Sequence, residues 1–181
     1  MSRIIDQIPN RLNKTNIEKA IADYLNLLEN IPLKLQSENV LKFLTDLKRE
    51  KINSGPYPNV TLFESANRIM SDLTILYGIK ELLNGAINEI NYDEYQVEFG
   101  HDNYNDNDIY ASDGISKLIG EGFNVAKSFF QTKKANALKK MRAQIKPNDK
   151  LLLIYNSDAV LESYRPVRRT NEYHLKIKLD I

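Results

Sequence analysis

Beyond residue 60 the chain alternates between helical and strand-like patterns in an order that few folds can accommodate. Apolar residues recur every three or four positions in two long segments, and the shorter segments between and after them carry strand patterns. The predicted elements, in chain order, are a helix over Thr61–Asn84, strands over Glu94–Phe99, Asp108–Ser112 and Lys117–Val125, a helix over 126–145, and strands over Leu151–Tyr155 and Tyr173–Ile181. This order predicts an α/β (α+β) fold with a central mixed sheet of about five strands flanked by helices.

The first third of the chain has a different pattern. Residues 1–55 are predicted to form an N-terminal helical annex, because helical spacing covers 14–50 in two pieces separated by Pro32. Turn residues then dominate Asn53–Asn59, which indicates a hinge. The α/β core is therefore predicted over residues 56–181.

The composition limits the chemistry that this chain can support. Its 181 residues, formal charge of +1 and 42% hydrophobic content describe one globular domain with an annex. It has no cysteine, which excludes disulfides, thiolate zinc sites and cysteine nucleophiles, and it has only two histidines. A metal site would therefore depend on carboxylates.

The sequence has no pattern typical of membrane association. Its longest apolar runs, such as LLLIY at 151–155, are far shorter than the roughly 18 residues that a membrane-spanning helix needs. The N-terminus also lacks an apolar signal core. We therefore expect a cytoplasmic protein with no membrane partner.

The near-neutral net charge conceals two blocks of opposite sign. Residues 81–116 contain nine acidic residues and no Lys or Arg, whereas residues 117–150 contain nine basic residues and two acidic ones. Such blocks are either solvated faces or surfaces for a charged ligand. The sign changes in the turn that joins the second and third predicted strands.

Two carboxylates lie on these same two strands. Asp108 begins the second strand, and Glu121 lies on the third, beyond the turn Ser112–Gly114, so both can meet at one end of a hairpin. Such a pair can hold a hard divalent cation, and Mg²⁺, as one ion or two, is the predicted cofactor. The structural alternatives are that Asp108 only starts a strand and that Glu121 only pairs with a lysine. A metal beside a basic segment suggests chemistry on a phosphodiester.

In element order and in these two acids, residues 60–181 resemble the PD-(D/E)XK nuclease superfamily, the fold of many type II restriction endonucleases. Asn107-Asp108 stands where the family has Pro-Asp, and Glu121-Gly122-Phe123 stands where it has the (D/E)XK triplet. The resemblance implies a restriction-endonuclease-like sheet and a Mg²⁺-dependent endonuclease that hydrolyses DNA phosphodiesters. The chain departs from the family at Phe123, which replaces a lysine that activates water and stabilises developing charge.

The resemblance also implies that a neighbouring residue can replace the missing lysine. Lys127, expected in the first turn of the next helix, is the favoured candidate, and Lys117 and Asn124 are the alternatives. Glu98, on the adjacent strand, is a third candidate carboxylate, as a metal ligand or general base, although it also fits a surface acid at a sheet edge.

Contacts to double-stranded DNA are expected from the basic helix and from two loops. The predicted contact residues are Lys133 and Lys134 on the helix, Arg165, Arg168 and Arg169 before the last strand, and Asn103 and Asn105 in a polar loop. A duplex cut on both strands favours a homodimer. A second hypothesis is a non-catalytic nucleic-acid-binding or protein-interaction module that kept the fold and lost the motif lysine.

Overall fold

The computed structural model describes residues 4–29, 31–32, 39–100, 106–167 and 169–179. The helices are α1 (Ile17–Glu29), α2 (Val40–Arg49), α3 (Leu62–Leu83) and α4 (Phe130–Arg142), with short 3-10 helices at Ile4–Gln7 and Ser157–Ala159. The strands are β1 (Arg11–Asn13), β2 (Glu94–Val97), β3 (Ile109–Ser112), β4 (Lys117–Phe123), β5 (Lys150–Asn156) and β6 (Glu172–Ile177). Among the described residues, every helix is too short or too polar to cross a membrane.

The strands form one six-stranded sheet in the order β1-β2-β3-β4-β5-β6. The pairs from β1 to β4 are antiparallel, and the pairs β4–β5 and β5–β6 are parallel, with α4 in the connection between β4 and β5. The predicted α/β fold with a mixed sheet is confirmed, with six strands instead of about five. The unpredicted strand is β1, whose three residues are too few to show an alternating pattern.

Each face of the sheet has its own apolar core. The side chains of β4 and β5 alternate between the two: Leu118 and Leu152 pack with α3, whereas Ile119 and Leu153 pack with α4. Burial on both faces explains why Leu151–Tyr155 reads as a continuous apolar run in the sequence.

Thr61 caps the start of helix α3, because its hydroxyl accepts a hydrogen bond from the Glu64 backbone N–H at 3.2 Å. Two glycines let this helix approach the sheet closely. A Cβ on Gly122 would overlap the Ile75 side chain, and a Cβ on Gly78 would overlap a side chain of β5. This close approach brings the polar side of α3 to the end of β4.

The N-terminal segment joins the core that α3 covers. β1 pairs with β2, and Ile17 and Tyr24 of α1 are buried in the same cluster as α3. The two helical pieces predicted within 14–50 are confirmed as α1 and α2. Helix α2 has no buried residue, and its Val40 and Leu41 are among the most exposed apolar side chains.

Helix α4 starts four residues later than its predicted beginning at 126. Residues 127–129 form a turn, in which the Phe129 N–H donates to the Ala126 carbonyl at 2.9 Å. Lys127 therefore lies before the helix and is exposed, which changes its position relative to the two acids.

Candidate functional site

A cleft of 540 Å³ opens where β3 begins and β4 ends, between α3 and α4. Its charged lining consists of six carboxylates and three cations: Glu64, Asp72, Glu98, Asp106, Asp108 and Glu121, with Arg68, Lys133 and Lys140. The excess of acids makes the cleft a region of negative potential when they are ionised. A cleft of this charge attracts cations.

Asp108 and Glu121 face each other across the β3–β4 pair. Ile109 pairs with Gly120, so the next residue on each strand, Asp108 and Glu121, lies opposite the other on the same side of the sheet. Asp108 Oδ2 accepts a hydrogen bond from the Gly122 backbone N–H at 2.9 Å, which turns its carboxylate toward β4. The structure therefore brings the two sequence-predicted acids together in one cleft.

The environment of this pair disfavours two negative charges. Burial raises the pKa of Asp108 above its ordinary value, and the nearby charge of Glu121 raises it further. The Gly122 N–H, Lys140 and Lys133 act in the opposite direction but do not reverse the increase in this pKa. The pair would thus gain from a bound cation, which favours both charged forms.

Glu121 is 7% exposed, and its partner is Lys140. Lys140 Nζ lies 2.5 Å from Glu121 Oε1, yet this buried oxygen receives no hydrogen bond of acceptable geometry. The ion pair is therefore close but poorly directed. A buried oxygen in this state is well suited to a metal ligand role.

The two lysines of the cleft, Lys133 and Lys140, come from α4 and not from the position of the motif lysine. Phe123 at that position is buried, and its ring packs against Phe130 and Tyr155. Lys133 Nζ lies 5.9 Å from the centroid of the Phe123 ring, and Lys140 lies two turns further along the same helix face. An ammonium group thus stands above the side chain that replaced the lysine.

Lys127, the favoured replacement in the sequence analysis, does not line the cleft, since α4 begins after it. Lys117 is also turned elsewhere, because its Nζ donates to the Gln144 carbonyl at 3.1 Å and lies 3.9 Å from Asp149. Asn124 does line the cleft. Sequence reasoning did not select Lys140, because its contact with Glu121 depends on how α4 packs against the sheet.

Glu98 lines the cleft beside Asp108, as expected for a third carboxylate. Its backbone N–H donates to the Asp108 carbonyl at 2.9 Å, which fixes the end of β2 beside the start of β3. Within the described residues, no three His, Cys, Asp or Glu side chains converge closely enough to hold a metal ion by themselves. A cation held by Asp108 and Glu121 would keep several water ligands, which is usual for Mg²⁺.

Asp72, another carboxylate of the cleft lining, is only 2% exposed. It accepts hydrogen bonds from the hydroxyls of Tyr24 and Tyr57 and, at 3.2 Å, from the Gly100 N–H. Burial raises the pKa of Asp72 to about 6, although these three hydrogen bonds lower it. This network ties α1 and α3 to the end of β2.

The α3 wall of the cleft carries polar residues that sequence reasoning did not select. Glu64, Asn67, Arg68 and Ser71 recur at the three- and four-residue spacing of one helix face and line the cleft together. This spacing is visible in the sequence, but a polar stripe on a helix normally indicates solvent. The close packing of α3 on β4 places this stripe on the wall of the cleft.

The predicted nucleic-acid contacts lie in different places. Lys133 lines the cleft, whereas Lys134 Nζ lies 3.1 Å from the Tyr164 hydroxyl and outside it. Arg165 and Arg169 are exposed away from the cleft, and the Arg165 guanidinium donates to the Glu162 and Tyr164 carbonyls. The other three predicted contact residues, Arg168, Asn103 and Asn105, lie outside the described residues.

Comparisons with protein-family models, with curated proteins and with solved structures find no match for this chain. The resemblance to PD-(D/E)XK nucleases therefore stays a prediction. Support for a function has to come from the cleft and its chemistry.

Proposed function

We propose that this protein is a Mg²⁺-dependent endonuclease that hydrolyses DNA phosphodiesters. The observation that carries the proposal is the facing pair Asp108 and Glu121 in an open cleft, with two α4 lysines beside it. The order of elements, three antiparallel strands, a crossover helix and two parallel strands, agrees with the resemblance to the PD-(D/E)XK superfamily.

The cleft residues fit this metal and this reaction. Asp108 and Glu121 would hold one Mg²⁺, and Glu98 is the proposed ligand of a second, because carboxylate oxygens are hard ligands. When bound, the ion would supply Lewis-acid polarisation of the phosphate and a more acidic water. The proposed contribution of the protein is orientation of the ion and electrostatic stabilisation of the phosphoryl group.

The chemical step is attack of a water oxygen on phosphorus with release of one ester oxygen. The water loses a proton, for which Glu98 is the proposed acceptor, and the leaving oxygen gains a proton from solvent. Lys133 and Lys140 stabilise the charge that develops on the phosphoryl oxygens, which is the role of the lysine that Phe123 replaces. They replace Lys127 in this role because they line the cleft.

Double-stranded DNA is the proposed substrate, because α4 and the segment before it also carry Lys127, Lys134 and Lys139 outside the cleft, where they can contact phosphates. Cleavage of both strands would require two clefts, and a two-fold homodimer would supply them. The alternative remains a non-catalytic nucleic-acid-binding or protein-interaction module, which the burial of Phe123 at the lysine position favours.

The experiment is plasmid cleavage with Mg²⁺ or Mn²⁺, paired with thermal unfolding in the same metals. Asp108→Asn and Glu121→Gln should lower the cleavage rate by a factor on the order of 10³, because a metal contributes several kcal/mol to the transition state. Glu94→Gln, which alters an exposed acid on β2, is the matched control and should cleave normally.

Mg²⁺ should also raise the Tm of the wild-type protein and leave that of Asp108→Asn unchanged. If neither metal supports cleavage nor raises the Tm, the endonuclease proposal is wrong. DNA binding without cleavage would then support the non-catalytic module.

A further inference from the structure

Arg68 projects from the α3 wall, across the cleft from the two lysines of α4. It is the one arginine among the described residues that line the cleft. Its side chain is 21% exposed, so the guanidinium is accessible from the cleft but not fully solvated. None of the metal-binding or proton-transfer roles proposed above uses this residue.

The Arg68 guanidinium is held in one orientation by two neighbours. Its Nη2 atom lies 2.6 Å from Glu64 Oε1, one turn earlier on α3, and its central carbon lies 5.4 Å from the centroid of the Tyr57 ring. Tyr57 is itself fixed, because it is buried and donates its hydroxyl to Asp72. Stacking on a rigid ring leaves the edges of the guanidinium for hydrogen bonds.

Glu64 is a weakly held partner for this arginine. Its side chain is 48% exposed, and its carboxylate can turn into solvent at little cost. Its backbone N–H, not its carboxylate, makes the helix-capping contact with Thr61. Another anion can therefore replace the carboxylate without disturbing the start of α3.

We propose that Arg68 binds a backbone phosphate of the nucleic-acid substrate, and that Glu64 occupies the guanidinium until the substrate displaces it. This inference rests on the proposed function, because it assigns a substrate contact within the same cleft. Arginine forms paired hydrogen bonds to phosphate in the geometry that it uses for carboxylate. The contact places cations on both walls, Arg68 on α3 and Lys133 on α4, so that a strand can lie over the acids between them.

The charge of the cleft explains why such an exchange is useful. The cleft contains twice as many carboxylates as cations, so an entering phosphodiester is repelled unless a metal and the cationic walls compensate. Displacement of Glu64 moves one negative charge away from the entering phosphate. In the free protein, the ion pair with Glu64 compensates the charge of the Arg68 guanidinium.

The test is a double-mutant cycle on DNA affinity. Fluorescence anisotropy would measure the Kd of a labelled duplex for the wild-type protein, Arg68→Ala, Glu64→Gln and the double variant, over a range of salt concentrations with Ca²⁺ present. Arg68→Ala should weaken binding about tenfold and reduce the slope of log Kd against log salt by about 1. Glu64→Gln should tighten binding about threefold, and this gain should be smaller in the Arg68→Ala background.

Two controls separate this exchange from a general charge effect. Asp106→Asn removes an exposed carboxylate of the same cleft that is not the ion-pair partner of Arg68. Any increase in DNA affinity that it causes should be the same with and without Arg68. Asp46→Asn breaks a similar one-turn ion pair, with Lys42 on α2, outside the cleft, and should not change the Kd. Arg68→Lys replaces Arg68→Ala in the test if the alanine variant does not fold. Because the lysine keeps the charge but loses the paired hydrogen bonds, its DNA affinity should lie between those of the wild-type protein and Arg68→Ala.

The inference fails if Arg68→Ala leaves both the Kd and the salt slope unchanged. It also fails if Glu64→Gln gives the same gain with and without Arg68. Cleavage in Mg²⁺ by the wild-type protein distinguishes this failure from failure of the proposed function. If the protein cleaves DNA but Arg68 and Glu64 are not coupled, the proposed nuclease function stands and the phosphate contact fails. If the two residues are coupled but the protein never cleaves DNA, only the phosphate contact stands.

Discussion

Two buried glutamates of the sheet each meet a cation from the last turns of α4, and they are held very differently. Glu172 of β6 is 3% exposed and forms a two-pronged pair with Arg142, at 2.6 and 2.8 Å. Glu121 of β4 is 7% exposed and has Lys140 at 2.5 Å without a well-formed hydrogen bond.

The pKa values follow the same division. Burial raises the pKa of Glu172, but hydrogen bonds from Arg142 and from the Arg169 N–H outweigh it and lower the pKa overall. At the cleft, burial and the charge of Glu121 raise the pKa of Asp108. We therefore expect the Glu172 pair to stabilise the fold and the ionised Asp108 carboxylate to reduce stability at neutral pH. A buried acid pair that the fold leaves incompletely compensated is typical of a functional site.

The largest expected effect comes from breaking the well-formed pair. Arg142→Ala leaves Glu172 buried with one remaining backbone N–H and should lower the free energy of unfolding by about 2–3 kcal/mol, somewhat less than for a fully buried pair because Arg142 is partly exposed. Chemical denaturation measures this loss. A change within about 0.5 kcal/mol, as for a surface residue, would show that the pair is not structural.

The opposite sign is expected at the cleft. Asp108→Asn keeps an oxygen to accept the Gly122 N–H but removes a charge that burial and Glu121 disfavour, so it should raise the free energy of unfolding without metal by about 1 kcal/mol. Glu172→Gln is the matched variant and should be destabilising. Equal destabilisation of both variants in the same denaturation experiment would remove the distinction between the two sites.

The pH dependence of stability should separate the two sites as well. Burial and the charge of Glu121 hold the folded-state pKa of Asp108 above its ordinary value of 3.8. The folded protein therefore retains a proton that the unfolded chain loses, and stability falls as the pH rises from about 4 toward neutrality. Glu172 has a lowered pKa, so its contribution is present above about 4.5 and is lost as the pH falls below that value. The excess stability of Asp108→Asn should therefore grow between pH 4 and 7, and a constant difference would contradict the assignment.

The smallest expected effects distinguish the lysines. Lys140→Ala should lower the free energy of unfolding by less than about 1 kcal/mol, because the Lys140 side chain is 46% exposed and solvent weakens its attraction to Glu121. It should also raise the pKa of Asp108, which Lys140 lowers, and carboxyl NMR titration measures that shift. Lys127→Ala should change the stability by no more than about 0.5 kcal/mol and leave the titration of Asp108 unchanged.

Much of this molecule could be predicted from local patterns. The long helix, the three short strands, the basic helix and the apolar strand at 151–155 were predicted in their correct order, because each depends on the periodicity of residues within one segment. The ends of the helices and strands were predicted less accurately. Because α4 begins at Phe130 and not at 126, Lys127 was wrongly placed in its first turn. The pairing of Asp108 with Glu121 could be predicted from the sequence, because a hairpin is a local structure.

The sequence by itself determined the element order, the hairpin that brings Asp108 and Glu121 together, and the absence of thiol chemistry. Only the tertiary structure decided which cations and which helix face meet those acids. Gly122 lets α3 lie close to β4, Arg68 of that helix lines the cleft, and the packing of α4 places Lys140 beside Glu121. Contacts between elements distant in sequence depend on how complementary surfaces pack, and periodicity within one segment does not contain that information.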